Sequence, residues 1–322
     1  ADFEHGIAAA RLALLHGLAE QLAQSHAHLL AALGADPLLL SRVGTDSAGS
    51  SVRNAMRIWG LDDSGLQNGP GEHTGQVRID IEEGEPAYDI VHPVAWDAIA
   101  ALEPLPSCAL LYHGSLAVRS PRSRETLDLL RAAKPGTVFV DVNLRDPWWT
   151  KAQLQHLLEG AGWVKLNADE LSLLLPTERP DTNAASTFIE RHALDGLVLT
   201  HGGSGAEILT AQGAHASITP EPGIDIVDTV GAGDAFASVI ILGLASGWPL
   251  ETMLTRAQAF ASQIVGRRGA TVDGGNSGVL PASASARAFP ANASRLYPNR
   301  AMNRSAPTST LRPPTTAPSP AA

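Results

Sequence analysis

The chain has 322 residues and is 44% hydrophobic, enough for one large α/β domain with an appendage or for two ordinary domains. Its formal net charge of −10 argues against nucleic acid or an anionic membrane as the main partner, and no apolar run reaches bilayer-spanning length. The one cysteine, Cys108, excludes an internal disulfide; it sits in an apolar run as a core residue and fits a reducing, cytoplasmic setting.

In chain order, residues 6–33 read as one helix, rich in Ala, Leu and Gln, with Leu14, Leu18, Leu22 and Leu29 at helical spacing and Gly34 and Pro37 to end it. Its histidines, among them His26 and His28, face different directions and read as surface residues rather than metal ligands. A strand follows at 38–43, a helix at 47–59 and a turn-rich stretch at 60–71. Val77, Ile79 and Ile81 alternate along a half-exposed strand, Glu82-Glu83-Gly84-Glu85 forms a tip, and 88–91 returns. This small β piece is either a lid over a cleft or a surface hairpin.

From residue 108 strands and helices alternate. Strands are expected at 109–113, 137–142, 163–166, 196–200, 206–209 and 214–218, and helices at 122–132, 152–158, 168–175, 184–192, 235–246 and 250–267. That rhythm predicts an α/β fold, a doubly wound parallel sheet flanked by helices, with ligands at the carboxyl ends of the strands. Beyond residue 273 the chain is dominated by Pro, Ala, Ser, Thr and Arg without periodicity, and reads as disordered. The expected division is an atypical N-terminal helix at 1–34, a main domain at 35–273 with the β piece at about 74–92, and a tail at 274–322.

The chemistry concentrates in Asp228-Thr229-Val230-Gly231-Ala232-Gly233-Asp234, which follows a short apolar run and opens the helix at 235–246. Small residues at a helix start leave backbone N–H groups pointing outward, and with the helix dipole they form an anion site. A carboxylate beside such a site is unfavourable unless it must take a proton from a hydroxyl attacking a phosphoryl group. The plainer alternative is that Asp228 or Asp234 caps the helix. A P-loop would need Gly-Lys-Ser/Thr, and a dinucleotide loop would want Gly or Ala at Phe236.

Asp-Thr-x-Gly-Ala-Gly-Asp resembles the signature of the PfkB, or ribokinase-like, carbohydrate kinases. Ser41-Arg42-Val43-Gly44-Thr45-Asp46 is similar to that family's Gly-x-Val-Gly-x-Asp turn, and Asn167-Ala168-Asp169-Glu170 to its Asn-x-x-Glu motif. Thr200-His201-Gly202-Gly203-Ser204-Gly205 resembles its nucleotide turn, and Asp141-Val142-Asn143-Leu144-Arg145 the strand end of its fructokinase and keto-deoxygluconate kinase group. The resemblance implies ATP-dependent phosphorylation of a sugar hydroxyl. Asp234 would be the general base, and the N–H groups of Gly231, Ala232 and Gly233 the anion hole. Asn167 and Glu170 would organise Mg²⁺, Thr200, Gly202 and Gly205 would line the nucleotide, and Asn143 and Arg145 would meet the sugar. Asp228 would support the loop, where some members also bind a monovalent cation. Sugar and ATP would be the partners, and a homodimer is compatible.

Each motif has a local alternative. Asn167 and Glu170 suit a capping box, the Gly202–Gly205 turn an ordinary strand-to-hairpin connection, and Arg145 an ion pair with Asp141 or Asp146. The resemblance covers roughly residues 30–273. Aligned on Leu33-Gly34, the family's sugar-binding glycine pair and Asn fall on Glu20-Gln21 and Ser25, and no first strand is visible. The second reading is therefore a non-catalytic nucleotide-binding relative, or a truncated or frameshifted remnant, that binds Mg·ATP better than any sugar. Removing residues 274–322 is expected to leave the melting temperature within about 5 °C of the full chain. A calorimetric scan checks this, and a larger fall shows that the tail packs.

Overall fold

The structure, a computed structural model, describes residues 11–15, 23–82, 85–175, 181–220 and 231–265. The elements are β1 (Arg11–Leu15), α1 (Ala23–Ala32), β2 (Asp36–Gly44), α2 (Ser47–Ile58), β3 (Leu66–Gly69), β4 (Val77–Glu82) and β5 (Glu85–Ile90). They continue with β6 (Leu110–Gly114), α3 (Pro121–Ala132), β7 (Thr137–Asp141), α4 (Lys151–Leu158), β8 (Trp163–Asn167), α5 (Ala168–Leu174) and α6 (Thr182–His192). The last are β9 (Gly196–Thr200), β10 (Ala206–Thr210), β11 (His215–Ile218), α7 (Ala232–Ser246) and α8 (Leu250–Val265).

Nine strands form one sheet in the order β11-β10-β9-β8-β7-β6-β1-β2-β3. Neighbours are parallel from β3 across to β9, and the pairs β9–β10 and β10–β11 are antiparallel. From β1 the chain first builds outward through β2 and β3, then returns to β6 on the other flank. The strand order therefore reverses at β1, and the carboxyl edge beside it is where a doubly wound sheet offers a crevice. β4 and β5 pair only with each other, as the alternating pattern predicts.

The expected helix at 6–33 is corrected. Residues 11–15 form the central strand β1, and α1 begins only at Ala23. Leu12 and Leu14 are 1% and 0% exposed, and Leu14 lies in register between Leu39 of β2 and Tyr112 of β6. A central parallel strand is covered on both faces, so it reads as a continuous apolar run, which a Leu-rich helix imitates. His26 and His28 are buried as well, not surface residues, because α1 packs against α2, α7 and β2. The His28 ring rests 4.2 Å from that of Trp59. The turn-rich stretch hides β3, four residues with only Leu66 apolar. The apolar run just before Asp228 and the tail from residue 274 lie outside the described residues.

Two polar knots join the two-stranded sheet to the main one. Asp46 caps α2 by accepting from Gly49 N at 2.9 Å, and also accepts from Thr74 N at 2.9 Å and Thr74 Oγ1 at 2.5 Å. The Thr74 hydroxyl in turn accepts from Gly44 N at 3.0 Å. The turn after β2 is thus tied to the segment entering β4. At the other end, Arg119 donates from Nε to Asp97 Oδ1 at 2.6 Å, and from Nη2 to Asp97 Oδ2 at 2.9 Å and to the Val91 carbonyl at 2.7 Å. Its guanidinium lies between the rings of Trp96, 3.9 Å away, and Trp148, 4.5 Å away. Both charged side chains are buried.

Removing one member of a buried bidentate pair strands the other, at about 3–5 kcal/mol. Arg119→Met is therefore expected to lower the melting temperature by roughly 10 °C at about 2–4 °C per kcal/mol. Arg119→Lys should recover only part of that, since one ammonium cannot span both oxygens and two carbonyls. Thermal unfolding followed by circular dichroism measures both; a loss under 2 °C for Arg119→Met would show the pair to be dispensable.

Candidate active site at the carboxyl edge of the sheet

Because β7, β8 and β9 are adjacent and parallel, Asn143, Arg145, Asn167, Glu170, Thr200 and Gly202 gather at one edge. Asp141, the last residue of β7, is in register with Lys165 of β8. The Lys165 ammonium donates to Asp141 Oδ1 at 3.0 Å and Oδ2 at 2.9 Å, and both side chains are nearly buried. Burial works against the ammonium. The Asp141 carboxylate outweighs it, with Glu170 and Asp234 adding to the effect, and holds the Lys165 pKa above the ordinary lysine value.

Asn167 and Glu170 form a capping box at the start of α5. Asn167 Oδ1 accepts from Glu170 N at 2.8 Å, and Glu170 Oε2 accepts from Asn167 N at 2.9 Å. The second Glu170 oxygen reaches across to β7's outgoing loop and accepts from Leu144 N at 2.8 Å. Burial raises the Glu170 pKa, and the two backbone donors restrain the rise. Asn167 itself is exposed.

The loop so held carries Asn143 and Arg145. Asn143 has a left-handed φ of +38°, and its carbonyl accepts from Ser115 Oγ at 3.1 Å. Arg145 is exposed, and its Nη1 donates to the adjacent Leu144 carbonyl at 2.9 Å. Among the described residues it pairs with neither Asp141 nor Asp146, since Asp141 is committed to Lys165.

At the nucleotide-type turn Thr200 is half-buried and Gly202 is exposed. Gly205 answers to its own backbone: at a φ of +108°, an added Cβ would lie 2.0 Å from the Ile218 carbonyl of β11. Its expected role beside a ligand is thus joined by a structural one. Glu207 braces the same hairpin, accepting from His201 Nε2 at 3.1 Å, His215 Nε2 at 2.9 Å and Thr182 Oγ1 at 3.3 Å.

Gly231 is the N-cap of α7 with φ +84°, the left-handed conformation that glycine adopts without penalty. Ala232, Gly233 and Asp234 form the first turn. Gly233 is exposed, and a Cβ built there meets nothing within 4 Å. The Asp234 side chain is 23% exposed and lies within electrostatic reach of Lys165 and Tyr112. Asp228 falls outside the described residues. Lys165 was not singled out in the sequence, although a lysine inside the apolar strand Trp163–Asn167 signals a buried partner.

Comparisons with known proteins bear on the family and the fold. The pfkB family carbohydrate kinase profile matches residues 23–274. The chain belongs to the pfkB family of carbohydrate kinases. It is 25% identical over 250 residues to a probable chloroplastic fructokinase-6 of Arabidopsis thaliana, a match of 72% of this chain and 65% of that one, so it spans just under two thirds of that relative's length. It is 27% identical over 258 residues to aminoimidazole riboside kinase of Salmonella typhimurium, covering 75% of this chain and 80% of that one. Among solved structures, a fructokinase double mutant from Vibrio cholerae O395 in fructose, ADP and potassium ion bound form superposes with a TM-score of 0.70 at 20% identity. That superposition covers 81% of this chain and 94% of the other and shows the shared ribokinase-like fold.

The open space over Gly233 separates folding from ligand binding. In a helix interior Ala is favoured over Gly by about 1 kcal/mol, and here the methyl group displaces no protein atom. Gly233→Ala is expected to keep or raise the melting temperature while weakening ATP binding at least tenfold by calorimetry. Unchanged ATP affinity would move the anion site elsewhere.

Proposed function

We propose that this family member is an ATP-dependent kinase that phosphorylates a sugar hydroxyl, nearest in kind to the fructokinases. The observation that carries the reading is the first turn of α7: a left-handed Gly231, an unobstructed Gly233 and a partly exposed Asp234, in electrostatic contact with the carboxyl edge of the sheet. The N–H groups of Gly231, Ala232 and Gly233 face the transferring phosphoryl group and stabilise its charge. Asp234 accepts the hydroxyl proton as the sugar oxygen bonds to the terminal phosphorus and the bond to the ADP oxygen breaks. Thr200, Gly202 and Gly205 line the nucleotide side, and Asn143 and Arg145 the sugar side.

The donor set suits Mg²⁺, which takes oxygen ligands and keeps several waters. Each Glu170 oxygen accepts one backbone N–H and retains a further lone pair, and the Asn167 side chain is exposed. Asn167 and Glu170 would therefore hold the ion through water. Bound there, it would neutralise phosphate charge.

The second reading, a nucleotide-binding relative without a sugar site, is favoured by Glu20, Gln21 and Ser25 standing where the family carries glycines and Asn. Strand β1 weakens it, because the wall that the sequence left missing is present. ADP release measured over fructose, keto-deoxygluconate, ribose and aminoimidazole riboside separates the two. Sugar-dependent turnover supports the kinase; ATP binding with no turnover on any acceptor supports the relative. In an active chain, Asp234→Asn should lower kcat by about 10²–10⁴ and leave ATP affinity within a few fold. A variant keeping more than a tenth of wild-type kcat would remove Asp234 from the role of base.

A further inference from the structure

The base candidate has a buried neighbour that no motif announces. His26 of α1 is 2% exposed, and its Nε2 lies 3.2 Å from the Tyr112 hydroxyl of β6 and 3.8 Å from Asp234 Oδ1 of α7. Tyr112 is also 2% exposed, and the Asp141 carboxylate acts electrostatically on its hydroxyl. Asp141 in turn holds the Lys165 ammonium. A series of polar groups therefore leads from Lys165 through Asp141, Tyr112 and His26 toward Asp234, across three strands and two helices, with a gap of 3.8 Å at its last step.

Donor counting fixes its direction. A carboxylate only accepts, and a phenol has one proton. The phenol proton is therefore drawn toward the Asp141 carboxylate. Burial first, then the charges of Asp141 and Asp234, pushes its pKa well above the usual tyrosine value, so the hydroxyl keeps its proton. The phenolic oxygen is left to accept from His26, which places the imidazole proton on Nε2. That same N–H faces Asp234 Oδ1. At 3.8 Å it is too long for a hydrogen bond, but contacts of this kind commonly tighten when substrate binds.

We propose that His26 is the positioning residue of Asp234: its Nε2–H, anchored on Tyr112, orients Oδ1 so that Oδ2 is presented to the substrate hydroxyl. The proposal rests on the reading of Asp234 as general base. Lys165 and Asp141 form an ion pair at the far end of the path.

Two measurements on the full chain test it. In the first, histidine ring ¹⁵N–¹H correlation spectra, assigned by His26→Gln, should show His26 as the Nε2–H tautomer. Its ring signals should move in Asp234→Asn and in Tyr112→Phe, while those of His156, paired with Asp128, stay in place. The Nδ1–H tautomer, or ring signals indifferent to Asp234→Asn, would overturn the proposal whether or not the chain turns over. In the second, His26→Leu should lower kcat by about 10²-fold, the scale of a misplaced reacting group, with ATP affinity within twofold. His26→Gln, which keeps an N–H donor, should recover at least a tenth of wild-type kcat. Wild-type kcat in His26→Leu would sink the idea, as would equal losses in the Leu and Gln variants at unchanged melting temperature. A wild-type chain inactive on every sugar would sink the kinase reading instead and leave the spectra to decide His26. If His26→Leu does not fold, the Gln variant and the spectra decide.

Discussion

One buried charge pair sits beneath the carboxyl edge. Lys165 and Asp141 are cross-strand neighbours on β8 and β7, closed at 2.9 Å at the end of β7. Asp141, Glu170 and Asp234 all act on the same ammonium. Several carboxylates gathered at one edge would repel each other and drive at least one to protonate. The lysine supplies the opposing charge at their centre, and the low exposure of the pair makes that charge act at short range with little screening. Such a pair adds little to net stability once both groups are desolvated. It does fix which atoms face one another, and the edge that carries the candidate chemistry is built around that geometry.

The parts of the site legible in the sequence are those written in local order. The Gly231-Ala232-Gly233-Asp234 run, the Asn167–Glu170 spacing and the Gly202–Gly205 turn each lie within a few residues, and each takes the local structure its spacing allows. The local alternatives hold too. Asn167 and Glu170 do form a capping box, and Gly205 does serve its hairpin. Function and local structure are not rivals at these positions, because a side chain fixed by its own backbone is also held in place for a ligand. The α/β rhythm from residue 108 onward was legible for the same reason, with most element ends agreeing within a residue or two.

Tertiary relations stayed hidden. At β1 a five-residue Leu-rich run suits a helix or a central strand equally, so its period does not separate them. Without that strand, α1 reads as the continuation of a surface helix and its histidines as solvated. Their burial follows from α1 lying against α7 and β2. Tyr112 and Asp234 are far apart in sequence, and the imidazole between them comes from a third element. No pairwise spacing announces such a contact.

The loop after β7 shows how these levels combine. Asn143 holds a left-handed backbone, which Asn tolerates better than most side chains. Two outside groups fix it: Ser115 binds its carbonyl, and Glu170 binds the N–H of Leu144. The residue expected to organise Mg²⁺ on α5 is thus also the residue that sets the loop expected to meet the sugar. A shift of Glu170 toward an ion would relax its hold on Leu144 and move Arg145, whose guanidinium donates to the neighbouring Leu144 carbonyl. The start of α5 and the loop after β7 are joined through one buried carboxylate. The left-handed Asn143 is kept by contacts made on both flanks rather than by its own sequence.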